Sequence, residues 1–261
     1  MPFSPRHLLL NLLLAEEAPL AAQDAIRACA LFGLRENTVR VAIVRLVATG
    51  MIEAEGRGLY RLGPNAAALA EDVRRWRTAE ARVREWRGGW LAVHCGSLGR
   101  TDRTALRRRE RALHLLGFRE LDRDLFVRPD NLAGGVDETR RRLHVLGLEP
   151  AASVFVATHL DAEREARARG LWKSEKPAYE KWRARLEAWL ARRDRLDPKV
   201  AARECFVLGH EAIRHWIYDP LLPAPMADVG ERKAFVATVI AFDRAGHEIW
   251  RQLRAQSRAA A

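Results

Sequence analysis

Cysteine is scarce in this 261-residue chain, and its three copies, Cys29, Cys95 and Cys205, stand far apart. No Cys-x-x-Cys pair occurs, which excludes zinc ribbons and thioredoxin-like redox motifs. An odd, sparse set suits reduced thiols, and the expected location is cytoplasmic. Long apolar runs are lacking too, so no segment is expected to cross a bilayer as a helix. Residues 8–15, after Arg6-His7, have the outline of a short secretory leader. Asn11 interrupts that stretch and Glu16-Glu17 follow it, so a first helix packing its leucines inward is expected instead. A glycine-rich phosphate loop, Gly-x-Ser-x-Gly and His-Glu-x-x-His are all missing. No catalytic residue, metal ligand or cofactor is therefore assigned, and the chain is not expected to be an enzyme.

Positive charge is what the chain has in excess: 45 Lys and Arg against 34 Asp and Glu, a net of +11, with a pI near 10.5. Such a balance favours polyanions, although an arginine-rich base composition produces the same count. The length suits two or three modest domains, and the periodicities below predict an α+β protein that is mainly helical.

Residues 1–65 read as a winged helix-turn-helix. Pro5 can open a first helix, in which Leu8, Leu9, Leu12 and Leu13 recur at helical spacing. A second short helix fits 21–29, and Gly33 supplies the tight turn after it. The third helix is expected over 36–49, ended by Gly50. Its core stripe is Val39, Ala42, Ile43, Leu46 and Val47. The opposite face carries Asn37, Val41, Val44 and Ala48, flanked by Arg40 and Arg45. That face is too apolar for water alone and bears no acid beyond Glu36. It suits a major groove: asparagine pairs with adenine, arginine with guanine or phosphate, valine with thymine methyls. Glu36 reads a cytosine or caps the helix. Residues 51–55 and 59–62 then form two strands joined at Gly56-Arg57-Gly58, which places Arg57 at a wing tip near phosphate or the minor groove.

A linker helix is expected over 66–86, with Leu69, Val73, Trp76, Ala79 and Val83 on one stripe. Residues 87–165 follow the order strand (90–95), helix (102–116), strand (118–121), strand (125–128), helix (136–146), strand (153–158). That is the order of a ferredoxin-like split βαβ domain. Arg109 falls inside the inward stripe of the first helix there. A buried arginine needs a partner: a local carboxylate, or an anionic effector. Residues 166–261 read as a helical domain. His210 and Arg214 share one face of a helix opened by Asp197-Pro198, and Trp216 turns inward. Asp219-Pro220-Leu221-Leu222-Pro223 forms a rigid loop, and a helix over 231–256 has a strongly apolar middle that suits burial or a subunit interface. Arg109, His210, Arg214 and Trp216 are the candidate effector residues.

The sequence resembles the PaaX family of transcriptional repressors. The resemblance spans nearly the whole chain. It rests on Leu31-Phe32-Gly33-Leu34-Arg35-Glu36-Asn37-Thr38-Val39-Arg40-Val41-Ala42-Ile43-Val44-Arg45-Leu46-Val47, then Trp86-Arg87-Gly88-Gly89-Trp90, Leu113-His114-Leu115-Leu116-Gly117-Phe118, Phe126-Val127-Arg128-Pro129, Trp172, Tyr179, Trp182 and Asp219-Pro220-Leu221-Leu222-Pro223. One departure is Arg35, where the family usually has a serine helix cap. The resemblance implies a middle domain similar to the Cas2 nuclease fold, a homodimer on palindromic double-stranded operator DNA, and release by an aryl- or acyl-coenzyme A effector such as phenylacetyl-CoA.

Three functions follow as alternatives. The first is a dimeric repressor that reads DNA through Glu36, Asn37, Arg40, Val41, Val44, Arg45 and Arg57. The second is a Cas2-like nucleic-acid-processing enzyme, disfavoured because His94-Cys95-Gly96-Ser97 lacks the aspartate a metal nuclease wants there and His159-Leu160-Asp161 is a weak substitute. The third is an adaptor whose winged helix contacts protein, which predicts no salt-dependent affinity for DNA.

Overall fold

The computed structural model describes residues 4–15, 19–67, 70, 76–173 and 178–259. These residues form nine α-helices and two antiparallel sheets, and the chain divides into two compact units.

The first unit comprises Met1–Arg77, Leu186–His210 and Ile240–Ala261. Helix α1 (Pro5–Ala15) starts at its proline and buries Leu8, Leu9, Leu12 and Leu13. Each large apolar side chain withdrawn from water in this way contributes about 1.5–3 kcal/mol. Strand β1 (Leu20–Ala21) leads into α2 (Ala22–Ala30). Gly33, at φ +74°, closes the turn that follows, and Leu34 N–H returns to the Cys29 carbonyl at 3.3 Å. Helix α3 (Glu36–Ala48) comes next, then β2 (Ile52–Gly56) and β3 (Leu59–Leu62). The small sheet has the order β1-β3-β2, with Leu20 opposite Tyr60 and Glu53 opposite Arg61.

The second unit comprises Thr78–Arg185 and Glu211–Val239. Its sheet is built from β4 (Trp90–His94), β5 (Arg119–Asp122), β6 (Leu125–Pro129) and β7 (Ser153–Ala157) in the order β5-β6-β4-β7. Helix α4 (Arg103–Leu115) joins β4 to β5, and α5 (Gly135–Leu146) joins β6 to β7. Strand β4 is covered on both faces. Leu91 and Val93 pack with Leu113, Phe118 and Leu143, while Trp90 and Ala92 pack with Val127, Ala168 and Trp172. The two-residue period of a strand divides those side chains between the two cores. Asp102 caps α4 by accepting from Thr104 N–H at 2.8 Å and Ala105 N–H at 3.1 Å. Helix α6 (Ala162–Gly170) follows the sheet. Three further helices, α7 (Tyr179–Arg192), α8 (Pro198–Ile217) and α9 (Val229–Ala259), run through the rest of the chain.

Two expectations need correction. The helical period over 66–86 does not carry through: after Arg77 come a turn, a 3₁₀ turn at Glu80–Arg82 and an isolated bridge between Val83 and Leu132. There Arg84 N–H donates to the Asn131 carbonyl at 2.7 Å and Ala133 N–H to the Arg82 carbonyl at 2.8 Å, so pairing with a neighbouring loop overrides helix propensity. Leu69 and Val73 lie outside the described residues. The second correction is Val47, expected in the core, which is 41% exposed.

Candidate nucleic-acid interface

Helix α3 is rich in β-branched valines, which gain little from helix propensity. Val39, Ile43 and Leu46, all buried, hold it against the rest of its unit. Arg35 occupies the cap position without a side-chain cap hydrogen bond, consistent with the missing serine.

The remaining face is open. Asn37, Arg40, Val41, Val44, Arg45 and Ala48 are all exposed; Val44 is 67% and Val41 45% accessible. Glu36, in the first turn, is the helix's one acid. Arg40 Nη2 donates to Glu36 Oε1 at 2.6 Å and Arg40 Nε to the same oxygen at 2.9 Å. Both partners are more than half exposed, so the pair is worth only ~0.3–0.5 kcal/mol. Releasing Arg40 to another anion costs that little. Arg45 has no carboxylate partner among the described residues.

The β2-β3 hairpin places Arg57 in its turn, exposed and likewise without a carboxylate partner among the described residues. Gly58, at φ +74°, makes that turn possible, and its carbonyl accepts from Ala22 N–H at 2.8 Å, tying the hairpin to the start of α2. Arg61 and Glu53 pair across the hairpin at 2.6 Å. A convex helix face that is apolar at its centre and cationic at its edges, with a cationic loop on the same small unit, fits the inside of a groove lined by phosphates.

The candidate effector residues are placed differently. Arg109 is 3% exposed, and its Nη2 donates to Glu149 Oε1 at 2.6 Å and to the Gly99 carbonyl at 3.1 Å, while Nε donates to Glu149 Oε2 at 3.2 Å. Glu149 supplies the local carboxylate expected as one of its two partners. The Arg109 hydrogen bond holds the Glu149 carboxyl below its usual range. Trp216 is buried against Phe235, with ring centroids 6.2 Å apart. Arg214 is exposed. His210, which lies in the first unit, has its Nδ1 3.2 Å from His7 Nε2, the rings edge-on. Burial pushes His7 down toward the neutral form. Arg109, Arg214 and Trp216 belong to the second unit and His210 to the first.

Sequence reasoning missed a second set of buried arginines. Arg128 is fully enclosed; it donates to the Leu116 carbonyl, to Asn131 Oδ1 at 3.1 Å and to the Pro220 carbonyl at 3.2 Å. Burial pushes its guanidinium down to about 10. Asn131 Nδ2 donates to the Leu221 carbonyl at 2.6 Å. Arg232 donates to Glu80 Oε2 at 3.0 Å and to the Leu222 carbonyl. Tyr179 donates its hydroxyl to Asp219. Together they hold the Asp219-Pro220-Leu221-Leu222 loop. The signal was an arginine inside the strand run Phe126-Val127-Arg128-Pro129, where only a partnered arginine is tolerated.

Asp161, the weak candidate for a metal ligand, caps α6 by accepting from Arg164 N–H at 2.9 Å and pairs with Arg164 Nη1 at 2.6 Å. Among the described residues no group of three or more His, Cys, Asp or Glu side chains is placed to hold a metal ion, and no helix is long and apolar enough to cross a membrane. All three cysteines are free and buried.

Comparison with known proteins adds three findings. The family model described as PaaX-like protein matches residues 7–66, and that described as PaaX-like protein C-terminal domain matches residues 172–252. No curated protein matches. Among solved structures, an uncharacterized protein from Mycobacterium tuberculosis is similar at a TM-score of 0.59 and 25% identity, covering 95% of this chain and 99% of that one.

Proposed function

We propose, from the premise that this chain belongs to the PaaX-like protein family, that it is a DNA-binding transcriptional regulator. Residues 1–65 act as a winged helix-turn-helix. The order helix, short strand, helix, helix, hairpin supports this reading, as does a three-stranded sheet in which β3 is central. Residues 87–165 are ferredoxin-like and similar to the Cas2 fold, supported by the antiparallel order β5-β6-β4-β7 with one helix in each crossover. Helices of the C-terminal segment complete a dimer, which is cytoplasmic.

The observation that carries the reading is the open face of α3, where Val41 and Val44 are 45% and 67% exposed and Glu36 is the helix's one acid. Valines in that number on a solvated helix have no gain to offer unless a partner covers them. In the proposed complex Asn37, Val41 and Val44 meet base edges. Arg40 exchanges Glu36 for a base or phosphate, and Arg45 and Arg57 meet phosphates. Each good base contact discriminates by roughly 1–3 kcal/mol. In a dimer the two helices sit about one turn of DNA apart, near 34–36 Å. The chain acts as a repressor of an aromatic or acyl-CoA catabolic operon. An effector such as phenylacetyl-CoA releases it by binding the dimer geometry that cannot span both half-sites better than the one that can.

Selection of binding sites from random duplex DNA with the full chain tests this. The expected outcome is a palindromic consensus, bound with an affinity that falls steeply with salt. Arg40→Ala combined with Arg57→Ala abolishes that binding while the dimer persists. Unchanged affinity in the double variant, or no enriched sequence, overturns the reading.

A further inference from the structure

We infer that the unit bearing the open α3 face also holds a binding cleft for an anion with an apolar body, and that this cleft is the effector site. Its regulatory role rests on the reading above; its capacity to bind does not. The cleft has a volume of about 440 Å³ and is walled by α2, the first turn of α8 and the end of α9. Arg27 and Leu31 line it from α2 and its cap, Lys199 from α8, and Trp250, Leu253 and Arg254 from α9. Every one of these residues belongs to the first unit.

The lining separates into two chemistries. Arg27, Lys199 and Arg254 contribute three cations against one carboxylate, Asp24, which lies 3.9 Å from Arg27 Nη1. Lys199 is exposed and has no carboxylate partner among the described residues. Trp250, buried and edge-on to Phe206 at 6.4 Å, stands one helical turn from Arg254, with Leu253 and Leu31 completing an apolar floor. Small-molecule sites combine a mostly apolar lining with a few fixed polar groups in volumes of roughly 300–1,000 Å³. An aryl or medium-chain acyl group fits the floor. Its carboxylate, or the phosphates of its CoA thioester, meets the cations. Occupancy has a direct route to DNA, because Arg27 and Leu31 belong to the last turn and cap of α2, and α2 and α3 are joined by the turn that Gly33 closes. Two sites coupled in this way weaken each other by the same factor.

The test titrates full-length protein with phenylacetate, octanoate and the CoA thioester of each, by calorimetry, and repeats the titrations with selected operator DNA present. At least one probe binds saturably, and operator affinity then falls at least tenfold. In the Lys199→Ala/Arg254→Ala variant probe affinity falls at least tenfold while unliganded operator affinity holds. Lys199→Glu, at an exposed position, gives the same loss should the double variant not fold. Binding that both variants leave unchanged, binding with no effect on operator affinity, or no binding by any of the four probes overturns the assignment. Loss of operator binding by the unliganded wild type would instead bring down the regulator reading, so the two failures are distinguishable.

Discussion

Arginine is used in opposite ways on the α3 and hairpin surface of one unit and in the core of the other. On α3 and the hairpin, Arg45 and Arg57 are exposed and lack carboxylate partners among the described residues, and Arg40 is held only by an exposed glutamate. In the other unit Arg109, Arg128 and Arg232 are buried, and each has protein acceptors. A net charge of +11 cannot separate these uses. Exposure and partners do: a buried guanidinium must be satisfied by its own protein, whereas an exposed one without a partner is available to an outside anion.

Removing a buried arginine gives the largest effect. Arg232→Ala leaves Glu80 and the Leu222 carbonyl without their donor and costs about 3–5 kcal/mol, as expected for one partner of a buried pair. At ~2–4 °C per kcal/mol for a chain of this size, the melting temperature drops by on the order of 10 °C. A calorimetric scan checks it, and a melt unchanged in this variant breaks the contrast between the units.

Removing an exposed arginine reverses the pattern. Arg57→Ala leaves the melt unchanged and lowers operator affinity across all sequences, with the salt slope reduced by about one. Asn37→Ala costs roughly 1–3 kcal/mol and relaxes specificity at one base position, read by competition between operator variants.

Acid titration sharpens the comparison from the buried side. The folded state holds the Glu149 carboxyl below its ordinary 4.5 through the Arg109 hydrogen bond. The pair's contribution is therefore complete above that value and is lost as pH falls through the lower, folded one. Glu149→Gln flattens the acid limb of the stability curve between those two values. The smallest effect belongs to the exposed pair: Glu36→Gln changes stability by less than ~0.5 kcal/mol in a denaturant titration.

Most element positions were legible in the sequence because their periods are strong and their ends are marked. Pro5 opens α1, Asp102 caps α4, and Gly33 and Gly147 adopt the positive φ their turns require. The open face of α3 was legible for the same reason, since a buried stripe at 39, 43 and 46 fixes what lies opposite. What failed was settled by distant partners. The helical period past Arg77 yields to hydrogen bonds with residues near 131 and 133, some fifty positions away. The inward stripe of α4 marks Arg109 as buried, but its pairing with Glu149 depends on a loop 40 residues on. The partners of Arg128 and Arg232 are not legible in the sequence because they lie far along the chain, Pro220 for Arg128 and Glu80 for Arg232. The cleft lined by Arg27 and Arg254 was equally hidden, its walls lying more than two hundred residues apart in the chain.

The central claim is that the outer face of α3 enters DNA, and Val44 is its most exposed large apolar side chain, at 67%. Val44→Glu places a negative charge there without touching the core. Fluorescence anisotropy on the selected operator measures the outcome: affinity falls at least a hundredfold while the melting temperature stays within about 2 °C of wild type. Retained operator affinity in that variant would contradict the account.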